Sequence, residues 1–335
     1  MSSPRVALAL AALLGCTASP RAAPPKASAR TLRPADVAPP RSPAPIQLAL
    51  TFDDLPAHGP VPAGATRRSI HADILATLAR HRAPAVYGFT NLGRLDDDPD
   101  RDAALVDWRA AGHPLGNHTF DHVDLNAVGP AAFLEDLERN TAGLLARAGD
   151  DRAAQASARV FRYPYLRQGR TLEERAAVRD HLARAGYRIA EVTIDFGDWA
   201  YNKPYARCLA AGDARGVREL EDMFFERATE FLRWSDETAR ALFGRPIPHV
   251  LLLHAGAFDA RVLDRTLDAY EALGVEYITL EEALADPVYA LDIPLATEYG
   301  GSLLEQYIEA YDPPHPPFPS QGLRALEAMC ATTTG

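Results

Sequence analysis

Cysteine is scarce in this chain: three residues in 335, Cys16, Cys208 and Cys330, with no Cys-x-x-Cys and no Cys/His cluster. A disulfide-stapled scaffold and a structural zinc knot are thereby excluded. Cys208 and Cys330 can pair in an oxidising compartment, but two cysteines so far apart in sequence carry no geometry that decides it. Compact runs of Lys and Arg are also missing. The formal charge is −10, and because residues 1–45 hold six basic residues and one acid, the remainder is more acidic still. A surface of that sign repels phosphate backbones and argues against a nucleic-acid partner. With 47% hydrophobic residues, disorder throughout is excluded, and there is material for one large core or two modest ones.

The one apolar run near the start, Val6–Leu14, has nine residues, too few to span a bilayer but the length of a secretory h-region, with Arg5 before it. It ends Leu13-Leu14-Gly15-Cys16, which resembles the lipobox of bacterial lipoproteins, where the Cys is lipidated and becomes the mature N-terminus. Leu14 departs from the small residue usual there, and cleavage further on, around Ala18 or Ala23, is the alternative. Residues 17–45 are dominated by Pro, Ala, Ser and Arg, a composition that forms no ladder and reads as a tether. The expectation is an exported protein of the periplasm or cell envelope, touching the membrane through a lipid on Cys16 only.

From Ile46 onward strand and helix alternate. Ile46–Phe52 reads as a buried strand; a helix with Ile70, Ile74 and Leu78 on one face follows, then a strand Ala85–Thr90. A helix Asp100–Ala111, a strand Pro114–Asn117 and a helix opened by Pro130 come next. Strand Arg159–Tyr163, helix Thr171–Ala185, strands Tyr187–Ile194 and His249–Leu253, helix Ala260–Leu273 and strand Glu276–Leu280 complete the series. Repeated βα units imply an α/β fold with parallel strands and chemistry at their C-terminal ends. Residues 200–248 are insertion-like, with a helix Val217–Trp234 whose Val217, Leu220, Phe224, Ala228 and Phe231 read as core more than as a substrate platform. Residues 291–335 form an extension expected to pack on the body as an appendage.

The polar residues at strand ends carry the chemistry. Asp53-Asp54 follows the apolar Leu48–Phe52 run, and two carboxylates so placed repel unless a cation relieves them. His118 and His122 are four apart, a spacing that puts both imidazoles on one side of a helical turn. One carboxylate and two imidazoles with open positions are what a catalytic zinc needs. Further strands run into Arg162-Tyr163-Pro164-Tyr165, Asp195-Phe-Gly-Asp198-Trp199 and His254. Each alone has a bland reading, as an ion pair, a turn residue or a core imidazole.

With Thr51-Phe52-Asp53-Asp54, His118-Thr-Phe-Asp-His122, Arg162-Tyr-Pro-Tyr165, Asp195-Phe-Gly-Asp198-Trp199 and Leu252-Leu-His254 in this order, the chain resembles the polysaccharide deacetylases of carbohydrate esterase family 4 from about Ile46 to about Asp286. The resemblance implies a distorted (β/α) barrel and a divalent metal, most often Zn2+ with Co2+, Ni2+ or Mn2+ as alternatives, held by Asp54, His118 and His122. Asp53 is then the general base, paired with Arg162; His254 is the acid, partnered by Asp198. The backbone N–H of Tyr165 joins in stabilising the oxyanion, and Trp199 and Leu252 wall the acetyl pocket. Departures occur at Leu55, Tyr163 and Leu166, which alter the groove walls and none of these groups. The expected domain spans 46–290. The expected activity is removal of N-acetyl groups from an amino-sugar glycan, with peptidoglycan N-acetylglucosamine preferred on grounds of location. The alternatives are an O-deacetylase using the same residues and a glycan-binding lipoprotein without turnover.

Overall fold

Strand β1 (Ile46–Leu55) organises the molecule, and its alternation shows how. Leu48, Leu50 and Phe52 join the main core with Ile70, Ile74 and Leu78 of helix α1 (Arg67–Arg80), while Thr51 and Asp53 point to the opposite face. The computed structural model describes residues 45–331; the expected leader with Cys16, and the tether through residue 44, lie outside the described residues. After α1 come β2 (Tyr87–Thr90), α2 (Pro99–Ala110), β3 (Leu115–Asn117), α3 (Leu125–Ala148), α4 (Arg152–Ser157), β4 (Val160–Phe161), α5 (Leu172–Arg184) and β5 (Arg188–Ile189). Helices α6 (Asn202–Ala210) and α7 (Ala214–Phe243) precede β6 (His249–His254), α8 (Ala257–Ala272), β7 (Val275–Ile278), α9 (Leu280–Ala283), α10 (Leu303–Tyr311) and α11 (Leu323–Ala328).

All strand pairings are parallel, in the order β5-β4-β3-β2-β1-β6 with β7 also on β1. The expected strand Tyr187–Ile194 is corrected to a crossing. Only Arg188 and Ile189 pair with β4; the chain then leaves that edge, Thr193 and Ile194 both donate to the Val250 carbonyl, and Leu252 donates to that of Ile194. One segment thus ties β4 to β6 and curls the sheet into the distorted barrel that the alternation and the family resemblance led us to expect. Strands of two residues suffice because neighbouring helices, not long ladders, bury them.

The aromatic stripe of α7 is core. Val217, Leu220, Phe224, Ala228 and Phe231 are all buried, and Phe224 meets Phe196, Tyr201 and Phe258 edge-on. Each such ring contributes roughly 1.5–3 kcal/mol on burial. The C-terminal extension is more than an appendage: Leu303 and Leu304 belong to one hydrophobic cluster and Leu326 to the main one. Arg207 donates to the carbonyls of Leu326, Glu327 and Met329, and a disulfide joins Cys208 to Cys330 next to them. Among the described residues no helix is long and apolar enough to cross a membrane.

Candidate active site

The sequence-predicted residues converge at the C-terminal ends of the strands. Asp53 lies opposite His254 in the β1–β6 register, and Asn117, the residue before His118, lies opposite Phe161, the residue before Arg162. Parallel neighbours in register end together, so the side chains after each strand meet at one mouth. Several of them sit in the left-handed backbone region: Asp54 (φ 66), Thr119 (φ 63), His122 (φ 56) and Tyr165 (φ 57). Non-glycine residues held there are strained and persist only where the surroundings over-determine them.

Asp54, His118 and His122 offer ligand atoms that all lie within 4.8 Å of one another. The pair is not on a helical turn as its spacing suggested. Both histidines lie in the loop between β3 and α3, where left-handed residues Thr119 and His122 fold the chain back. His118 Nδ1 is 2.9 Å from the Arg162 carbonyl, an acceptor only, so Nδ1 carries the hydrogen and Nε2 turns its lone pair to the Asp54 side. His122 Nε2 is 3.3 Å from Asp54 Oδ1. That oxygen is buried without a hydrogen-bond partner, an expense a cation would remove. Burial pushes His118 well down and His122 down to about 4, which keeps both imidazoles neutral, the form that binds metal. Burial alone would raise Asp54, but the hydrogen bond from His58 and the positive charges of Arg94 and His254 hold it well below the usual carboxylate range. The donor set fits a divalent cation with positions left open.

Asp53 Oδ1 accepts from Arg162 Nη1 at 2.8 Å, and its Oδ2 lies 3.7 Å from His118 Nε2. Burial drives its pKa up to about 6, against the opposing pull of Arg162 and His254. Arg162 is itself fully buried, donating also to Thr51 Oγ1 and the Ala190 carbonyl, with its guanidinium over the Phe89 ring. Across the mouth, Asp198 grips His254 twice, Oδ1 at 3.0 Å from Nδ1 and Oδ2 at 2.6 Å from the backbone N–H. Burial would lower His254, but the charge and hydrogen bond of Asp198, with Asp54 and Asp53 beyond, raise it to about 10. Asp259, behind Asp198, is pushed well up by burial and by the charge of Asp198, so Asp198 carries the charge of that pair.

Two partners of Asp54 escaped the sequence reading. His58 Nδ1 lies 2.9 Å and Arg94 Nη1 3.0 Å from Asp54 Oδ2, and the His58 ring stands 4.5 Å from that of His254. His58 had a faint signal, four residues after Asp54 in one loop. Arg94 had none, because only folding brings its turn to β1. Of the expected wall residues, Tyr165 packs its half-exposed ring edge-on against His122 at 4.5 Å, and Trp199 is half-exposed with its carbonyl 3.3 Å from His58 Nε2. Leu252 is buried on the same face of β6 as His254. A cavity of about 700 Å³ between α2 and α3, lined by Leu105, Arg109, His113 and Arg147, includes none of these residues.

A group of candidate metal ligands flanked by a buried carboxyl and an Asp-held imidazole, at the strand ends of a curled parallel sheet, is an arrangement suited to hydrolysis. Comparison with known proteins narrows this class. A family model described as polysaccharide deacetylase matches residues 41–190. A chitooligosaccharide deacetylase of Bradyrhizobium sp. (strain ANU 289) is 30% identical over 199 residues, 58% of this chain and 80% of that protein. The chitin deacetylase of the fungal pathogen Colletotrichum lindemuthianum, 21% identical, shares the fold over 72% of this chain and 88% of its own, with a TM-score of 0.50. The chain belongs to the polysaccharide deacetylase family, hydrolases that act on the amide bonds of acetylated glycans.

Proposed function

We propose that this protein removes N-acetyl groups from N-acetylglucosaminyl glycans in a metal-dependent reaction, working in the cell envelope. One observation carries the reading: His254, hydrogen-bonded through Nδ1 to the buried Asp198, lies opposite the buried carboxylate Asp53 in the β1–β6 register, beside the Asp54–His118–His122 group. An amine leaves an acetyl group only with a proton, so an acid kept separate from the base is what amide cleavage requires. The Bradyrhizobium relative, named for chitooligosaccharides, supports a glucosaminyl substrate.

Asp54, His118 and His122 would hold a divalent cation, Zn2+ first among candidates, which would supply Lewis acidity. Asp53 takes the proton of the attacking water at Oδ2, while Arg162 holds Oδ1 and keeps the carboxylate pointed at the cluster. Arg162 also fixes His118 through its carbonyl, so one residue orients both base and ligand. His254 gives its Nε2 proton to the departing nitrogen, and Asp198 keeps Nδ1 and the ring plane in place. The backbone N–H of Tyr165 stands as the oxyanion donor, and Leu252 and Trp199 as walls for the methyl group.

For location we propose export with a lipid on Cys16, which makes peptidoglycan the first glycan met; a palmitate analogue should label the wild type and not Cys16→Ser. The function is tested by acetate release from N-acetylglucosaminyl oligomers, peptidoglycan and acetylated xylan, with and without a chelator. Chelator-sensitive release from the amino-sugar substrates is expected. Release from xylan alone would mean O-deacetylation, and metal binding with no release would mean a binding module.

A further inference from the structure

The C-terminal extension reaches the metal side of the mouth. Thr297 donates its N–H to the Gly169 carbonyl and accepts, at its own carbonyl, from Asn126 Nδ2 at 3.0 Å; Asn126 Oδ1 in turn accepts from Gly169. Gly300 lies so close to the Tyr165 backbone that a Cβ there would come within 1.7 Å of the Tyr165 carbonyl oxygen. The start of α3, the loop of Tyr165 and Gly169, and residues 297–300 are thus knitted into one wall.

On this wall stands Tyr299. It is 76% exposed, the most exposed large apolar residue among the described residues, although Thr297 Oγ1 accepts its backbone N–H at 3.2 Å. A lone exposed tyrosine is ordinary. This one sits on backbone anchored to the active-site loops, one residue from the Gly300–Tyr165 contact, and Tyr165 is the half-exposed ring that touches His122. Leaving an aromatic side chain in water gains the fold nothing. It does present a flat apolar face with a polar rim, the complement of a pyranose ring, whose C–H face is apolar and whose edge carries hydroxyls.

We propose that residues 297–300 form a glycan subsite, with Tyr299, next in the chain to the glycine packed on Tyr165, as the platform for a sugar unit beyond the one being deacetylated. The proposal rests on the N-acetylglucosaminyl glycan reading above and adds that the substrate is a chain lying along the Tyr165–Tyr299 wall. It gives the extension a role in chain-length selection.

The test measures kcat/KM of the wild type, Tyr299→Ala, Tyr299→Phe and Tyr299→Leu on an aryl acetate and on N-acetylglucosaminyl oligomers from the disaccharide to the longest soluble chain. Tyr299 is exposed, so these variants should fold, with circular dichroism and metal content as checks. For Tyr299→Ala we expect a loss of roughly three- to tenfold on long oligomers, the scale of one aromatic contact, carried by KM. The aryl acetate should be unaffected, Phe should restore the wild-type values, and Leu should not. Equal losses on every substrate, or no loss on any, overturn the subsite while leaving the deacetylase reading intact. A wild type that neither binds nor deacetylates any of the oligomers overturns both.

Discussion

Replacing Arg162 by Met removes a positive charge from the barrel interior while keeping an unbranched apolar stem and the backbone carbonyl that orients His118. Asp53, already raised to about 6 by burial, then loses the guanidinium 2.8 Å from its Oδ1. Loss of an adjacent opposite charge raises a carboxyl by about 1–3 units. A cation in the cluster lowers the starting value in wild type and variant alike and leaves the sign unchanged. The acidic limb of kcat/KM should therefore move up by about 1–3 units. Measured one unit above the wild-type limb, the drop in ionised base is about two- to a hundredfold. Raising the pH should recover it until the His254 limb intervenes. Stability should follow the same carboxyl. Its folded pKa lies above the ordinary carboxyl value of 3.8, so the folded state binds the extra proton between the two, and stability falls as pH rises through that window. With Arg162 gone the window extends upward, and Arg162→Met should melt at a higher temperature near pH 5 than near pH 8. The assay is a pH profile of deacetylation beside thermal melts across the same range. A uniformly lowered profile with an unmoved acidic limb would refute the charge argument and leave Arg162 a packing residue.

Asp54→Ala and His118→Ala should each lose most of the bound divalent ion by elemental analysis, whereas Asp53→Asn should keep it and lose turnover; full retention in both ligand variants sinks the assignment. His254→Ala should cripple an N-acetyl substrate far more than an aryl acetate, whose phenolate departs without a proton, and equal losses would send the search for the acid elsewhere. Asp198 is the main cause that raises His254, so Asp198→Asn should move the alkaline limb to lower pH, a shift read from the pH profile; an unmoved limb would refute the pairing. Cys330→Ser opens a bridge between residues 122 apart and should cost about 2–4 kcal/mol in urea unfolding; an unchanged midpoint would mean that Arg207 and the buried Leu326 hold the C-terminal segment without it. His81 lies between Asp264 and Glu271, which raise its pKa against its burial. Its stabilising effect is present below the unfolded value and lost as pH rises through the folded one, so His81→Gln should remove a pH-dependent part of the melting temperature.

Local pattern determined a good deal of this protein by itself. Apolar runs followed by Asp53-Asp54, His118, Arg162, Asp198 and His254 placed the site, because a parallel strand must end where its neighbours end and its next residue must face the mouth. The helical spacing of Val217 through Phe231 already marked a core stripe, since burial selects one face of a helix. Tertiary structure decided what depends on meetings between distant segments. The stretch Tyr187–Ile194 has a strand's composition, yet it is drawn from β4 to β6 because it must close the barrel. The four-residue spacing of His118 and His122 mimics a helix, but both rings meet Asp54 through left-handed loop residues that periodicity cannot register. Arg94 reaches Asp54, Gly300 reaches Tyr165 and Cys208 reaches Cys330 only after folding, since each contact joins residues far apart in sequence, and the sequence between them carries no record of distance.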